Sequence, residues 1–171
     1  MAFRKTVAYT AMMDYEQALT AYQEALDIAR DIGDIHSEGL TLGNLGNVYE
    51  DLEEYEKALE VYQASFRISE DLGDQHGIAS ALANMGSVFL VTENYEEAEE
   101  YLLSAIEIFE DIKQLSAEAI TAHKLAIVYF SVELYESALE YCDRAIDLAA
   151  QTSLPLIEDS RRLREMIEQA E

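Results

Sequence analysis

The sequence predicts an all-α protein, an α-solenoid of stacked antiparallel helix pairs that ends in a C-terminal capping helix. The 171 residues contain one proline and seven glycines, which leaves few turns and favours helices with short connections. One ten-residue stretch recurs every 40 residues, as MDYEQALTAY at 13–22, EEYEKALEVY at 53–62, ENYEEAEEYL at 93–102 and ELYESALEYC at 133–142. A repeat period of this size is typical of stacked architectures.

Each repeat is predicted to form one pair of helices. Over 55–72, apolar residues recur at steps of three and four on two seams, as in a helix that is packed on two sides. A second helical stripe covers about 35–51, and the short connection at Glu53 and Glu54 makes the two helices antiparallel neighbours. The pattern predicts nine helices in all, with pairs meeting near residues 13–14, 53–54, 93–94 and 133–134.

The turns between pairs carry helix-ending and helix-starting residues. In DIGD at 31–34 and DLGD at 71–74, the glycine can adopt the left-handed conformation that ends a helix, and the last aspartate can cap the next one. The third copy has Lys113 in place of that glycine. Pro155 is suited to the first turn of a last helix over 155–170, which we expect to cap the stack.

These boundaries predict a single domain over residues 1–171. The first repeat begins no earlier than Met1, whereas the equivalent helices begin about six residues earlier in register. Either the chain is a fragment of a longer repeat protein or its first helix is truncated, and both alternatives predict an apolar N-terminal edge through which copies self-associate. The predicted segments are repeat 1 at 1–33, repeat 2 at 34–73, repeat 3 at 74–113, repeat 4 at 114–153 and the capping helix at 154–171.

The repeated positions resemble the tetratricopeptide repeat (TPR) pattern W-x2-L-G-x2-Y followed by A-x3-F. Leucine replaces the tryptophan in the second copy, and Gly46 and Gly86 stand where one helix presses on its partner. The period of 40 is similar to the long-repeat type found in kinesin light chains and in cell-polarity and spindle-orientation adaptors. The resemblance implies a superhelix whose concave face is lined by the first helix of each pair. The second copy reads Leu42-x2-Leu45-Gly46-x2-Tyr49, then Ala58-x3-Tyr62.

The charge limits the classes of partner. The net charge is −24, from 35 acidic and 11 basic residues, so phosphate backbones and anionic membranes would be repelled. A basic protein segment would be attracted, although the acids could equally serve only to solvate the outer helix faces. No run of about 18 apolar residues exists, so no transmembrane helix is expected. The single cysteine, Cys142, occupies an apolar slot, which predicts a buried thiol and is compatible with a reducing, cytoplasmic location.

The sequence contains no motif of a catalytic, cofactor or metal site. Phosphate-binding, zinc-protease and C-x-x-C patterns are missing, and the repeat register explains the 40-residue spacing of His36 and His76. The sequence therefore predicts a protein without enzymatic activity, cofactor or metal.

The predicted functional site is a peptide-binding groove along the first helices. Asn44 and Asn84 occupy equivalent positions, followed by Lys124. The resemblance implies that an asparagine here holds the backbone of an extended ligand, while the alternative is a polar residue that merely faces solvent. One end is predicted to be polar and acidic, and the other to carry exposed apolar anchors. The predicted lining is Asn44, Asn47, Glu50, Asp51, Asn84, Ser87, Leu90, Val91, His123, Lys124, Ile127 and Phe130.

The leading functional hypothesis is a non-enzymatic adaptor that binds a segment of a partner protein, basic in part and with apolar anchors. The first alternative is a chaperone or assembly factor that shields one client protein. The second is a structural spacer that self-associates through its ends.

Overall fold

The computed structural model describes the backbone of residues 2–170 and the side chains of residues 14–170, and this part of the chain has eight helices and no strand. The predicted all-α fold of consecutive packed helices is confirmed. The helices are α1 (Ala2–Ile32), α2 (Ile35–Asp51), α3 (Tyr55–Leu72), α4 (Gln75–Val91), α5 (Tyr95–Asp111), α6 (Leu115–Ser131), α7 (Tyr135–Thr152) and α8 (Leu156–Ala170).

The chain divides into two compact units, Met1–Gly77 and Ile78–Glu171. In the first unit α1 packs on α2, and α2 packs on α3. In the second unit the chain packs successively from α5 to α6, α7 and α8, and α8 also contacts α6. The helix predicted over 155–170 is therefore present as α8 and packs on the preceding helix. None of the helices in the described part is long and apolar enough to cross a membrane.

The prediction of nine helices is wrong, because α1 runs without interruption through residues 13–14. At the other three predicted junctions the chain turns at a residue with a positive φ of about 60°, namely Glu53, Glu93 and Glu133. The sequence of the first copy has the strong helix formers Ala11 and Met12 just before the equivalent position. Helix propensity therefore favours continuation at this junction.

The sequence of the first copy also lacks the small residue, glycine or alanine, that stands at the helix contact in the other three copies. In the second copy, a Cβ atom added to Gly46 would lie 2.3–2.8 Å from three ring carbons of Tyr62, so the two helices meet at a distance that only glycine allows. Threonine stands at the equivalent position 6, and lysine precedes it where the second copy has Leu45. Because Leu45 is buried, a lysine in that slot opposes folding back onto the next helix.

The predicted turns and caps between pairs are confirmed. Gly33 and Gly73 end α1 and α3 with φ of 72° and 68°. Asp34 accepts hydrogen bonds from the hydroxyl of Ser37 at 2.7 Å and from the backbone N–H of Ser37 at 3.0 Å, and these bonds lower the pKa of its carboxyl group. Lys113 makes the equivalent turn with φ of 57°, so the third copy keeps the geometry without glycine.

Close helix contact at the predicted glycines is also confirmed. A Cβ atom added to Gly86 would lie 2.8 and 2.9 Å from the side chain of Leu102, much as at Gly46. Tyr62 and Leu102 are both fully buried. Glycine on the first helix therefore admits a large side chain of the second helix in two successive repeats.

A cluster of charges links three helices of the second unit. Arg144 on α7 donates from Nε and Nη2 to Oε1 of Glu118 on α6, at 2.9 and 2.6 Å. Its Nη2 also donates to Oε2 of Glu110 on α5 at 2.9 Å. Glu118 is only 4% exposed, so its carboxylate depends on Arg144 for a countercharge.

Candidate functional site

The second unit brings two of the predicted groove residues into direct contact. Lys124 on α6 donates from Nζ to Oγ of Ser87 on α4 at 2.9 Å. Ser87 is buried, at 8% exposure, and Lys124 is half-buried, so α4 and α6 lie side by side here and share one surface around this contact. We call this surface the α4–α6 face and define it by the predicted residues Asn84, Ser87, Leu90, Val91, Lys124, Ile127 and Phe130.

One end of the α4–α6 face is apolar. Leu90, Ile127 and Phe130 are half-buried and pack against the hydrophobic core of the second unit, rather than standing fully exposed. The ring of Phe130 lies 6.1 Å from that of Tyr135, between centroids. Val91 is 50% exposed. The apolar side chains are thus held in place by the core while part of their surface stays accessible.

The predicted groove residues of α2 lie in the first unit, and two of them can accept a hydrogen bond from the hydroxyl of the buried Tyr62. The hydroxyl of Tyr62 lies 2.7 Å from Oδ1 of Asn47 and 3.0 Å from Oε2 of Glu50, and its one proton can be donated to either acceptor. Burial and the charge of Glu50 raise the pKa of Tyr62. Asn47 and Glu50 therefore satisfy a core tyrosine, although Asn47 is itself exposed, as are Asn44 and Asp51.

His123 makes a contact that the sequence did not predict. Its Nδ1 lies 2.9 Å from Oγ of Ser160 on α8. Burial lowers the pKa of His123, which favours a neutral imidazole, and the tautomer of that ring decides whether Nδ1 or the serine hydroxyl is the donor. Ser160 is fully buried, so this serine–histidine pair has no access for a substrate and instead joins α8 to α6.

Cys142 is buried, as predicted. Its Sγ donates to the backbone oxygen of Ser160 at 2.9 Å, and burial raises the pKa of the thiol to about 11. No group of three or more metal-ligating side chains occurs among the described residues.

The raised pKa of Cys142 leads to a test of thiol reactivity. The thiolate is the nucleophile, so at pH 8 the native protein should react with iodoacetamide at least about tenfold more slowly than the protein unfolded in urea. Mass spectrometry of the alkylated fraction over time measures both rates. Equal rates in the two states would contradict the burial of this side chain.

Family models place the chain in a known repeat class. Two models described as tetratricopeptide repeat match, one over residues 7–71 and 37–111 and the other over 119–153. The chain belongs to the tetratricopeptide repeat family. No curated protein matches this TPR chain in sequence.

Solved structures show the same fold. The chain superposes with a TM-score of 0.81 on a STAND protein with a TPR sensor, PH0952 from Pyrococcus horikoshii, at 23% identity over 91% of this chain and 24% of that one. It superposes with a TM-score of 0.73 on a Rap protein complexed with competence and sporulation factor, at 25% identity over 80% of this chain and 39% of that one. It superposes with a TM-score of 0.73 on the TPR-like repeats of a Podosopora anserina protein described as a putative kinesin light chain. The identity is 15% over 98% of this chain and 83% of that one.

Membership of the TPR family gives the general class of function. TPR arrays are repeat scaffolds whose stacked helices present extended binding surfaces to other proteins. The chain is therefore a protein-interaction module. It spans less than half of the PH0952 and Rap chains that it matches, so it corresponds to one part of those larger proteins.

Proposed function

We propose that this TPR chain binds a segment of a partner protein on the α4–α6 face and acts as a non-enzymatic adaptor. The contact between Lys124 and Ser87 carries the proposal, because it aligns the predicted ligand positions of two successive first helices at 2.9 Å. The half-buried apolar side chains beside it offer contact area that folding has already fixed in position.

The face suits an extended segment with both polar and apolar contacts. The amide of Asn84 offers donors and an acceptor to a peptide backbone, and the ammonium group of Lys124 offers donors to its carbonyl oxygens. Apolar side chains of the partner would pack on Leu90, Val91 and Ile127. Binding of a factor by the 25% identical Rap protein supports a similar use of the repeats here.

The charge of the chain favours a partner segment with basic residues. A net charge of −24 attracts cations from a distance and accelerates their association. The affinity for a basic segment should therefore fall as ionic strength rises above about 0.1 M, where the Debye length is about 10 Å.

Two substitutions test the α4–α6 face. Peptides selected from a displayed random library on the intact chain should bind the Asn84→Ala variant about 5- to 150-fold more weakly, because the substitution leaves backbone groups of the peptide unpaired. Val91→Lys should also weaken binding, since it places a cation on a half-exposed apolar contact. Isothermal titration calorimetry of the purified variants measures both changes.

Matched substitutions elsewhere control for indirect effects. Ser104→Ala removes an exposed polar group on α5, and Met166→Lys places a lysine at a residue that is 54% exposed on α8. Both controls should retain wild-type affinity. If all four variants bind the selected peptides equally well, the binding site lies away from the α4–α6 face.

A further inference from the structure

The first unit exposes a ridge of apolar side chains along α1. Ile28 and Ile32 are 61% and 71% exposed, the highest values among the large hydrophobic residues that the structure describes. Ala21 and Ala25 are exposed on the same side of the helix. We call these four residues the α1 ridge. The neighbouring side of α1 is buried, with Leu26 and Ala29 at 3% and 4% exposure.

The equivalents of Ala25 are covered in the later repeats, whereas Leu72, the equivalent of Ile32 in the second copy, is 47% exposed. Ser65, Ala105 and Ala145 stand 40, 80 and 120 residues after Ala25, and all three are buried. In the second copy the cover is the first helix of the same pair, because the hydroxyl of Ser65 donates to the backbone oxygen of Gly39 at 2.9 Å. Ile68, the equivalent of Ile28, packs against the same glycine, since a Cβ atom added to Gly39 would lie 2.8 Å from Cγ2 of Ile68.

Continuity of α1 leaves the ridge without this cover. A helix that is continuous from Ala2 to Ile32 cannot fold its first half back over its second half. The part of the ridge at Ala25 and Ile28 is therefore a site that a helix covers in the second copy and that no helix of this chain occupies in the described structure. Its residues nevertheless keep the apolar character of a packed face.

We propose that a second copy of this chain occupies the ridge, with the two α1 helices packed antiparallel about a two-fold axis near Ala18. The ridge residues follow one another at steps of four, three and four, the spacing of a coiled-coil seam. The sequence continues this spacing through Ala18, and after the polar Asp14 through Ala11 and Val7. An axis at Ala18 sets Ala11 opposite Ala25, and it sets Val7 about one residue out of register with Ile28.

The distribution of charge along α1 favours this arrangement. Residues 2–13 contain Arg4 and Lys5 and no acid, whereas residues 14–32 contain five acids and one arginine. Antiparallel packing sets the basic half of each helix beside the acidic half of the other, while parallel packing would set the two acidic halves together. In a chain of net charge −24, this local complementarity offsets part of the repulsion between copies. The proposal does not depend on ligand binding at the α4–α6 face.

Sedimentation of the intact chain tests the association. The wild type should form a dimer at micromolar concentrations in about 0.15 M salt, where the Debye length is about 8 Å. Ile28→Glu should raise the dimer dissociation constant at least about tenfold, because it places a carboxylate in an apolar contact. Met166→Glu, which adds the same charge at a residue of similar exposure, should leave the constant unchanged.

Distances between spin labels test the orientation. Single cysteines at Gln17 and Asp31, both exposed, can be labelled while the buried Cys142 stays unlabelled, and wild-type protein should accordingly take up no label. Antiparallel packing predicts a short distance between the labels at 17 and about 40 Å between those at 31, from a rise of about 1.5 Å per residue. Monomeric wild-type protein at 100-fold higher concentration, a dimer unaffected by Ile28→Glu, or short distances at both positions would overturn the proposal.

Discussion

Replacing Arg144 with methionine is expected to lower the free energy of unfolding by about 2 to 3 kcal/mol. The substitution leaves the carboxylate of Glu118, which is 4% exposed, without its countercharge. Loss of one partner of a buried ion pair costs about 3 to 5 kcal/mol, and the lower figure applies because the arginine side chain is 31% exposed and partly screened by water. Urea unfolding followed by circular dichroism measures the change.

Two further variants separate the buried charge from the loss of packing. The double variant Arg144→Met/Glu118→Gln should regain much of the lost stability, since the uncompensated charge is gone. Arg161→Met breaks an exposed pair with Glu158 and should change stability by less than about 0.5 kcal/mol. An Arg144→Met protein as stable as the Arg161→Met protein would show that the cluster does not hold α5, α6 and α7 together.

Two alanine substitutions on α2 are expected to change stability in opposite directions. Gly46→Ala should destabilise the protein by about 2 kcal/mol, because the new Cβ would lie 2.3–2.8 Å from the ring of the fully buried Tyr62. Gly43→Ala should stabilise it by about 0.5 to 1 kcal/mol through helix propensity, because its Cβ would meet only the hydroxyl of Ser65 at an ordinary 3.6 Å.

Comparing the two variants separates the effect of helix contact on stability from that of helix propensity. Both substitutions replace glycine with alanine in the same helix, so the gain in propensity is similar. Thermal and urea unfolding of the two variants should give midpoints on either side of the wild-type value. If both variants are stabilised, α2 and α3 lie farther apart at Gly46 than in the structure.

The 40-residue register was sufficient to predict most of the fold. It located the junctions at 53–54, 93–94 and 133–134, and the glycines that admit Tyr62 and Leu102. The register failed at residues 13–14, where one helix replaces two. Local residues decided the outcome there, because the first copy has threonine and lysine where the second copy has glycine and a buried leucine.

Contacts between distant side chains could not be read from the pattern. Arg144 and Glu118 are 26 residues apart, and nothing in a helical stripe identifies which surface arginine reaches which glutamate. The repeat register did predict that Lys124 follows Asn84, and the structure joins Lys124 to the neighbouring Ser87. The register alone did not indicate that His123, one residue earlier, contacts α8.

The predicted site residues of α2 show a second reason why the candidate site could not be predicted fully from the sequence. Asn47 and Glu50 are polar residues that the sequence predicted to line the groove and to contact a ligand. Their acceptor atoms lie at the hydroxyl of a core tyrosine 12 to 15 residues away, a partner visible only once the helices are packed. A signal was present in the tyrosine itself, because a buried phenol requires a hydrogen-bond partner.

Methyl NMR of the intact chain with a selected peptide tests the proposed interaction face most directly. Titration should shift the methyl resonances of Leu90, Val91 and Ile127 together and should leave that of Met166 on α8 unchanged. The Asn84→Ala variant should show the same shifts only at higher peptide concentration. Peptide-dependent shifts confined to Ile28 and Ile32, or to α8, with Leu90, Val91 and Ile127 unaffected, would contradict binding at the α4–α6 face.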